Sequence, residues 1–234
     1  MPLVYAHRGG AALRPENTIE AFDHGLECGA DGLEFDVHLS RDGVVVVHHD
    51  DTLDRTTAGH GRVADRTAGE LAALQVPTLV EVLERYPNIP IIVEIKVDSA
   101  VLVRRVIDEL RQHGALDRAA LGSFYVGPLR EARVYEPRLR TGASKEETRW
   151  ALYRSWIAWP LGAAAYREFQ VPERSGMTKI VSPHFVKYAH KAGLPVKVWT
   201  VNDADDMHRL LDWGVDALIT DRPDLAVRVV RSRR

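Results

Sequence analysis

Short runs rich in Val, Ile and Leu recur eight times along this chain, and the longer segments between them carry apolar residues at helical spacing. The runs are Leu3 to His7, Leu33 to Val37, Ile91 to Lys96, Ala119 to Phe124, Leu139 to Ala143, Ala164 to Gln170, Val196 to Val201 and Ala217 to Thr220. Strands alternating with helices build a parallel sheet, and eight of them within 234 residues predict one domain closed as an α/β barrel. A ninth run, Gly43 to His49, follows the turn sequence Ser40-Arg41-Asp42-Gly43, so it reads as an antiparallel hairpin extension after the second strand. Asn17 with Glu20, and Thr78 with Glu81, match capping boxes at helix starts, while Gly114, Gly193 and Gly214 stand where helices should end.

Composition removes several functional classes. The 31 basic and 33 acidic residues leave a net charge of −2, which gives no electrostatic footprint for nucleic acid or for an anionic membrane, a local patch apart. Cys28 is the sole cysteine, so neither an intrachain disulfide nor a cysteine-based zinc site can be built. The opening Met1-Pro2-Leu3-Val4-Tyr5-Ala6-His7-Arg8 lacks the layout of a secretory signal, and a reducing cytoplasm is the expected compartment.

Chemistry gathers at the strand ends. Side chains alternate along a strand, so Glu34 and Asp36 share one face while Leu33, Phe35 and Val37 share the other. Two inward carboxylates suit a hard divalent cation such as Mg²⁺ or Ca²⁺, which offsets their repulsion; the plain alternative is a solvated pair on an exposed face. Glu94-Ile95-Lys96 repeats the spacing, with Glu94 placed to complete a metal site and Lys96 to meet an anion, or else as a structural ion pair.

His7 ends the first strand, followed by Arg8, whose planar guanidinium suits phosphate oxygens. Imidazole titrates near neutral pH, so His7 suits proton transfer, although a histidine at a strand end often serves only as a structural hydrogen-bonding group. His48-His49-Asp50 offers a second imidazole, and strand alternation allows only one of the two histidines to point inward. Phosphodiester hydrolysis needs a base and an acid, which two histidines beside a metal-bound phosphate provide.

Trp199 ends the seventh strand, where its ring either packs on a small polyol or fills the barrel mouth. Ile219-Thr220-Asp221-Arg222-Pro223 reads as a structural closing turn. Trp150, Tyr153, Trp156 and Trp159 form an aromatic stripe at helical spacing beside Arg149 and Arg154. Such stripes are usually core; transient lipid contact is the alternative.

Taken in order, His7-Arg8-Gly9, Pro15-Glu16-Asn17-Thr18, Leu33-Glu34-Phe35-Asp36-Val37, Val47-His48-His49-Asp50 with Leu53-Asp54-Arg55-Thr56-Thr57, Glu94-Ile95-Lys96, Val198-Trp199-Thr200-Val201-Asn202 and Ile219-Thr220-Asp221-Arg222-Pro223 resemble the glycerophosphodiester phosphodiesterase family from residue 3 to about residue 225. The resemblance implies a single-domain (β/α)8 TIM barrel over residues 1–234, with the short β-hairpin extension. It implies metal-dependent hydrolysis of small-molecule glycerophosphodiesters to glycerol 3-phosphate and an alcohol. By the same resemblance His7 and His49 are the acid-base pair, the second chosen because the family's histidine directly precedes an aspartate. Glu34, Asp36 and Glu94 would hold Mg²⁺ or Ca²⁺, Arg8 and Lys96 would contact phosphate, and Trp199 would lie against the glycerol.

Many relatives carry a longer insertion after the second histidine, whereas here only Arg55 to Thr78 is available, so a small lid over the pocket is expected and the alcohol is left open. Competing readings are phospholipase D-like cleavage of lysophospholipids or sphingolipids, an aldolase-type Schiff base on Lys96, and a barrel that binds a phosphorylated ligand without turning it over.

Overall fold

The computed structural model describes residues 1–233. In chain order the elements are β1 Leu3–His7, α1 Ile19–Glu27, β2 Gly32–Leu39, β3 Val45–Val47, α2 Ala68–Ala72, α3 Leu79–Arg85, β4 Ile91–Ile95, α4 Ala100–Gln112, β5 Ala119–Gly122, α5 Val126–Tyr135, β6 Arg140–Thr141, α6 Lys145–Trp156, β7 Phe169–Pro172, β8 Arg174–Ser175, β9 Thr178–Lys179, α7 Pro183–Lys191, β10 Val196–Trp199, α8 Ala204–Asp212, β11 Ala217–Thr220 and α9 Pro223–Arg231. Eight strands pair in parallel in the order β6-β5-β4-β2-β1-β11-β10-β7, and a parallel bridge between Gly142 and Glu168 joins the two ends of that path. With helices outside it, this is an α/β barrel of the (β/α)8 kind. β3 runs antiparallel to β2, pairing Val37 with Val47, as the turn at Ser40 to Gly43 predicts.

Alternation along the strands sorts the core into two layers. Leu33, Phe35, Val37, Val93 and Val198 face outward into one large apolar cluster with the helices. Each fully buried aliphatic or aromatic side chain there contributes about 1.5–3 kcal/mol. Inward-facing Tyr5, Ile92, Ala120, Ala217 and Ile219 form a second, smaller cluster that plugs the barrel beneath Trp199. Below the mouth, Lys197 pairs with Glu168 at 2.8 Å and lies over the Tyr5 ring. The inward parity then continues to the rim: Tyr5 leads to His7, Ile92 to Glu94, and Ile219 to Asp221.

Several expected boundaries move. The fifth run shrinks to the two paired residues of β6, and the sixth shifts to Phe169–Pro172. Ala164 and Ala165 at its start have neither β-branched nor aromatic side chains, and it is Phe169 and Val171 that pair with Val196 and Val198. The first helix is capped by Thr18, whose hydroxyl accepts from the Ala21 amide, and not by Asn17. Asn17 sits in the left-handed region at φ 58° and turns its amide elsewhere. Thr78 and Glu81 do form a capping box, and Gly114, Gly193 and Gly214 adopt positive φ after helices. Among the described residues no helix is long and apolar enough to cross a membrane.

Candidate active site

β2 and β4 lie side by side in a register that sets Asp36 opposite Glu94, so the alternation that turns Glu34 and Asp36 inward brings Glu94 to them. Glu34, Asp36 and Glu94 each present an oxygen within 4.8 Å of the others. Burial, reinforced by Asp36 and Glu94, pushes the Glu34 carboxyl up to about 8 despite the opposing pull of His7. Burial likewise raises Glu94. Burial acts in the same direction on Asp36, but Lys96 and Arg8 outweigh it and hold that carboxyl below its ordinary range. Lys96 Nζ stands 2.9 Å from Asp36 Oδ1 and 3.1 Å from Glu94 Oε1, and Arg8 Nε stands 3.3 Å from Asp36 Oδ2.

The donor set fits a hard cation on its own geometry. Asn17 Oδ1 is buried without a hydrogen-bond donor, while the Asn17 amide nitrogen donates to Asp36 Oδ2 at 3.0 Å. An unpaired buried oxygen beside three converging carboxylates calls for positive charge, and oxygen ligands suit Mg²⁺ or Ca²⁺.

His7, at the end of β1, sets Nδ1 2.6 Å from Asp221 Oδ1 and Nε2 3.8 Å from Glu34 Oε2. Burial works to lower the imidazole, but Glu34 and the Asp221 hydrogen bond overcome it, so protonation is favoured above the usual histidine range. Asp221 is itself fixed by Asn202, which donates to Oδ2 at 2.7 Å and accepts from the Asp221 amide at 2.9 Å. The loop after His7 can pass this close to α1 only because Gly9 has no side chain; a Cβ there would meet Ala21 at 2.7 Å.

His49 repeats the arrangement. Its Nδ1 lies 2.5 Å from Asp50 Oδ1, and Arg55 holds both Asp50 oxygens at 2.6 and 3.1 Å. That hydrogen-bonded guanidinium keeps Asp50 well below the usual carboxylate range. Arg55 also grips Glu16 through two bonds of 2.6 and 3.0 Å, and Glu16 in turn accepts from Arg8. One chain of charge therefore runs Arg8, Glu16, Arg55, Asp50, His49. His48 points away, buried with Nε2 at 3.1 Å from the Thr52 carbonyl, and His38 meets the His49 carbonyl at 3.1 Å.

His7, Arg8, Glu34, His49, Glu94, Lys96 and Trp199 line one cavity of about 750 Å³, with Asp36 buried just beneath. Trp199 stacks edge-to-face on Phe124 at 5.7 Å across the mouth. The opposite wall comes from Lys145, Arg149, Leu152 and Tyr153 of α6 and from Arg174 and Thr178 of the β8–β9 hairpin. The expected lid over Arg55 to Thr78 is not there. Val63, Leu71 and Val76 of that segment pack with Val46 and Leu53 in a satellite core, because β3 presents them with an apolar face.

All eight residues singled out in the sequence thus come together. Asp221 was read only as part of a closing turn, and Asn17 only as a cap. Strand parity carried the missing signal for Asp221, since it follows Ala217 and Ile219 at the same two-residue step. Glu16 and Asn202 stand in motifs that carry the family resemblance but were given no role, and nothing local marks Phe124; their contacts depend on loops that meet only in the folded barrel. The aromatic stripe of α6 is not core: Trp150, Tyr153, Trp156 and Trp159 are exposed.

The sequence profile of the glycerophosphoryl diester phosphodiesterase family matches residues 7–225. A glycerophosphodiester phosphodiesterase of Caldanaerobacter subterraneus subsp. tengcongensis is 34% identical, the alignment covering 98% of each chain. Among solved structures, a putative glycerophosphoryl diester phosphodiesterase from Silicibacter pomeroyi superposes with a TM-score of 0.84 at 26% identity, covering 100% of this chain and 94% of the other. An Oleispira antarctica phosphodiesterase in complex with the product sn-glycerol-3-phosphate superposes with a TM-score of 0.81 at 25% identity, covering 99% and 97%.

Proposed function

The chain belongs to the glycerophosphoryl diester phosphodiesterase family, and from that membership we propose that it hydrolyses glycerophosphodiesters to glycerol 3-phosphate and an alcohol. The observation that carries this reading is the pair of histidines on one cavity, each with a carboxylate on Nδ1, beside three converging acids. A carboxylate on Nδ1 fixes the tautomer and leaves Nε2 to exchange a proton with substrate.

In this reading Glu34, Asp36 and Glu94 hold one divalent cation, Mg²⁺ or Ca²⁺. When bound there, such an ion would supply positive charge for a phosphate oxygen. Arg8 and Lys96, already beside Asp36, meet the phosphate, and Trp199 packs on the glycerol carbons. One histidine of the pair His7 and His49 takes the proton of the glycerol 2-hydroxyl as its oxygen bonds to phosphorus. The other gives a proton to the departing alcohol as that P–O bond breaks, and water then opens the cyclic phosphate with the two roles exchanged. Attack by water in place of the 2-hydroxyl uses the same groups and differs in forming no cyclic phosphate.

A second reading, phospholipase D-like cleavage of lysophospholipids or sphingolipids, draws on the cavity itself. Its volume of about 750 Å³ exceeds what a glycerophosphate moiety fills, and Leu152, Val171 and Ile180 add apolar surface to its lining. Residence in a reducing cytoplasm belongs to the same proposal, in keeping with the single cysteine.

The test is a metal-stripped preparation offered glycerophosphocholine, glycerophosphoglycerol, lysophosphatidylcholine and sphingomyelin, with Mg²⁺, Ca²⁺ and Mn²⁺ restored one at a time. Glycerol 3-phosphate release on adding a hard cation is the expected result, and ³¹P spectra during turnover reveal a cyclic phosphate if one forms. Binding of every diester without product, whatever the ion, would overturn the proposal in favour of a ligand-binding barrel.

A further inference from the structure

Three of the chain's five tryptophans stand exposed within ten residues, at the edge of the catalytic cavity. Trp150, Trp156 and Trp159 are 66%, 61% and 61% exposed, and Tyr153 among them is 45% exposed. Their rings support one another: Tyr153 meets Trp150 at 6.3 Å and Trp156 at 5.3 Å. With Ile157 and Arg154 they enclose a shallow groove of about 450 Å³, and Tyr153 lines both this groove and the catalytic cavity. On the same wall, Met177 at the turn of the β8–β9 hairpin is 96% exposed, and Arg174 and Thr178 on its two arms line the same cavity. That wall of the opening therefore carries large apolar groups in water.

Charge on this side of the molecule is positive. Arg149, Arg154 and Arg174 are exposed and make no ion pair among the described residues, whereas Glu147 is engaged by Arg133 and Glu173 by Arg209. Glu146 is the acid of α6 left without an ionic partner, and Lys145, Arg149 and Arg154 outnumber it on the same helix. Exposed Trp and Tyr interleaved with Arg are the chemistry of a membrane interface, where rings with an apolar body and a polar edge settle at headgroup level and the cations meet anionic lipid. Arg154 lies inside the aromatic groove, so a cation sits directly among the rings.

We infer that α6, the segment through Trp159 and the β8–β9 turn form a docking surface for an anionic lipid bilayer. The docking stands on this surface alone; its use, holding the cavity mouth against a lipid source of substrate, rests on the proposed diester hydrolysis. The binding is reversible, since a handful of interfacial rings and cations falls far short of an anchor that spans the bilayer.

The experiment is co-sedimentation with vesicles of phosphatidylcholine alone and of phosphatidylcholine with about 30% phosphatidylglycerol. The intact protein is compared with Trp156→Ala/Trp159→Ala and with Arg154→Glu, and circular dichroism and thermal melting establish that each variant is folded. Expected are binding to the anionic vesicles that weakens with salt, a blue shift of tryptophan fluorescence on binding, and a loss of about tenfold or more in the double variant. Glycerophosphocholine turnover should be unchanged in that variant, so loss of docking and failure of the proposed hydrolysis read out separately. Failure to bind anionic vesicles, equal binding by the double variant, or a dimer in solution that the double variant dissociates would each overturn the inference, the last by assigning the surface to a second copy of the chain.

Discussion

His7 Nδ1 and Asp221 Oδ1 lie 2.6 Å apart although 214 residues separate them in sequence. The contact exists because β1 pairs with β11, setting Ala6 beside Thr220 and carrying the next residue of each strand to the rim together. The first and last strands thereby build one half of the proposed acid-base apparatus. Asp221→Asn keeps the shape and removes the charge that fixes the imidazole. The expected result is a fall in kcat of about 10–100-fold with little change in KM, as for other groups that orient a functional histidine. Steady-state kinetics with a soluble glycerophosphodiester, alongside thermal melting to show retained folding, checks it.

The adjacent histidines should separate sharply. His49 lines the cavity and His48 bonds the Thr52 carbonyl away from it. His49→Ala should lower kcat by ~10²-fold or more if it supplies general acid-base catalysis. His48→Ala should retain turnover and lose about 1 kcal/mol or more of stability, since the carbonyl it serves is left with one partner fewer. Near-normal turnover in His49→Ala with a dead but folded His48→Ala would reverse the assignment.

Arg55 ties Asp50 to Glu16, and its side chain is 49% exposed. Ion pairs at that exposure are worth about 0–1 kcal/mol, so Arg55→Lys should scarcely change the denaturation midpoint. Lysine cannot fork onto two carboxylates at once, and His49 would lose its oriented Asp50. A drop in kcat of about tenfold without a matching loss of stability is expected, with Arg55→Ala lower still.

Outside the cavity, Glu109 on α4 gives a pH-dependent stability. Burial pushes its carboxyl up to about 7, and Oε2 has no hydrogen-bond partner. The fold prefers the protonated form, so stability is fullest below the ordinary carboxyl range and falls as pH rises toward 7. Glu109→Gln should match the parent near pH 4 and exceed it at pH 8 by about 1–2 kcal/mol, a difference read from urea denaturation at the two pH values.

Strand parity made much of the site legible in advance. Glu34 and Asp36 had to share a face, and so did Glu94 and Lys96, because a pleated strand alternates whatever lies around it. The same rule pointed to Asp221, where the reading as a closing turn overlooked it. The aromatic stripe shows the opposite limit. Helical spacing at Trp150, Tyr153 and Trp156 fixes that the rings share a side of α6 but carries no information on which side the barrel covers.

Local chemistry in the chain thus determined the alternating elements, their caps and the faces on which acids and histidines stand, since each depends on residues only a few positions apart. Tertiary structure alone decided that Asp221 reaches His7, that Arg55 bridges Glu16 and Asp50, and that α6 rather than residues 55–78 walls the cavity. Those contacts join residues distant in sequence, and the register in which the barrel closes sets them.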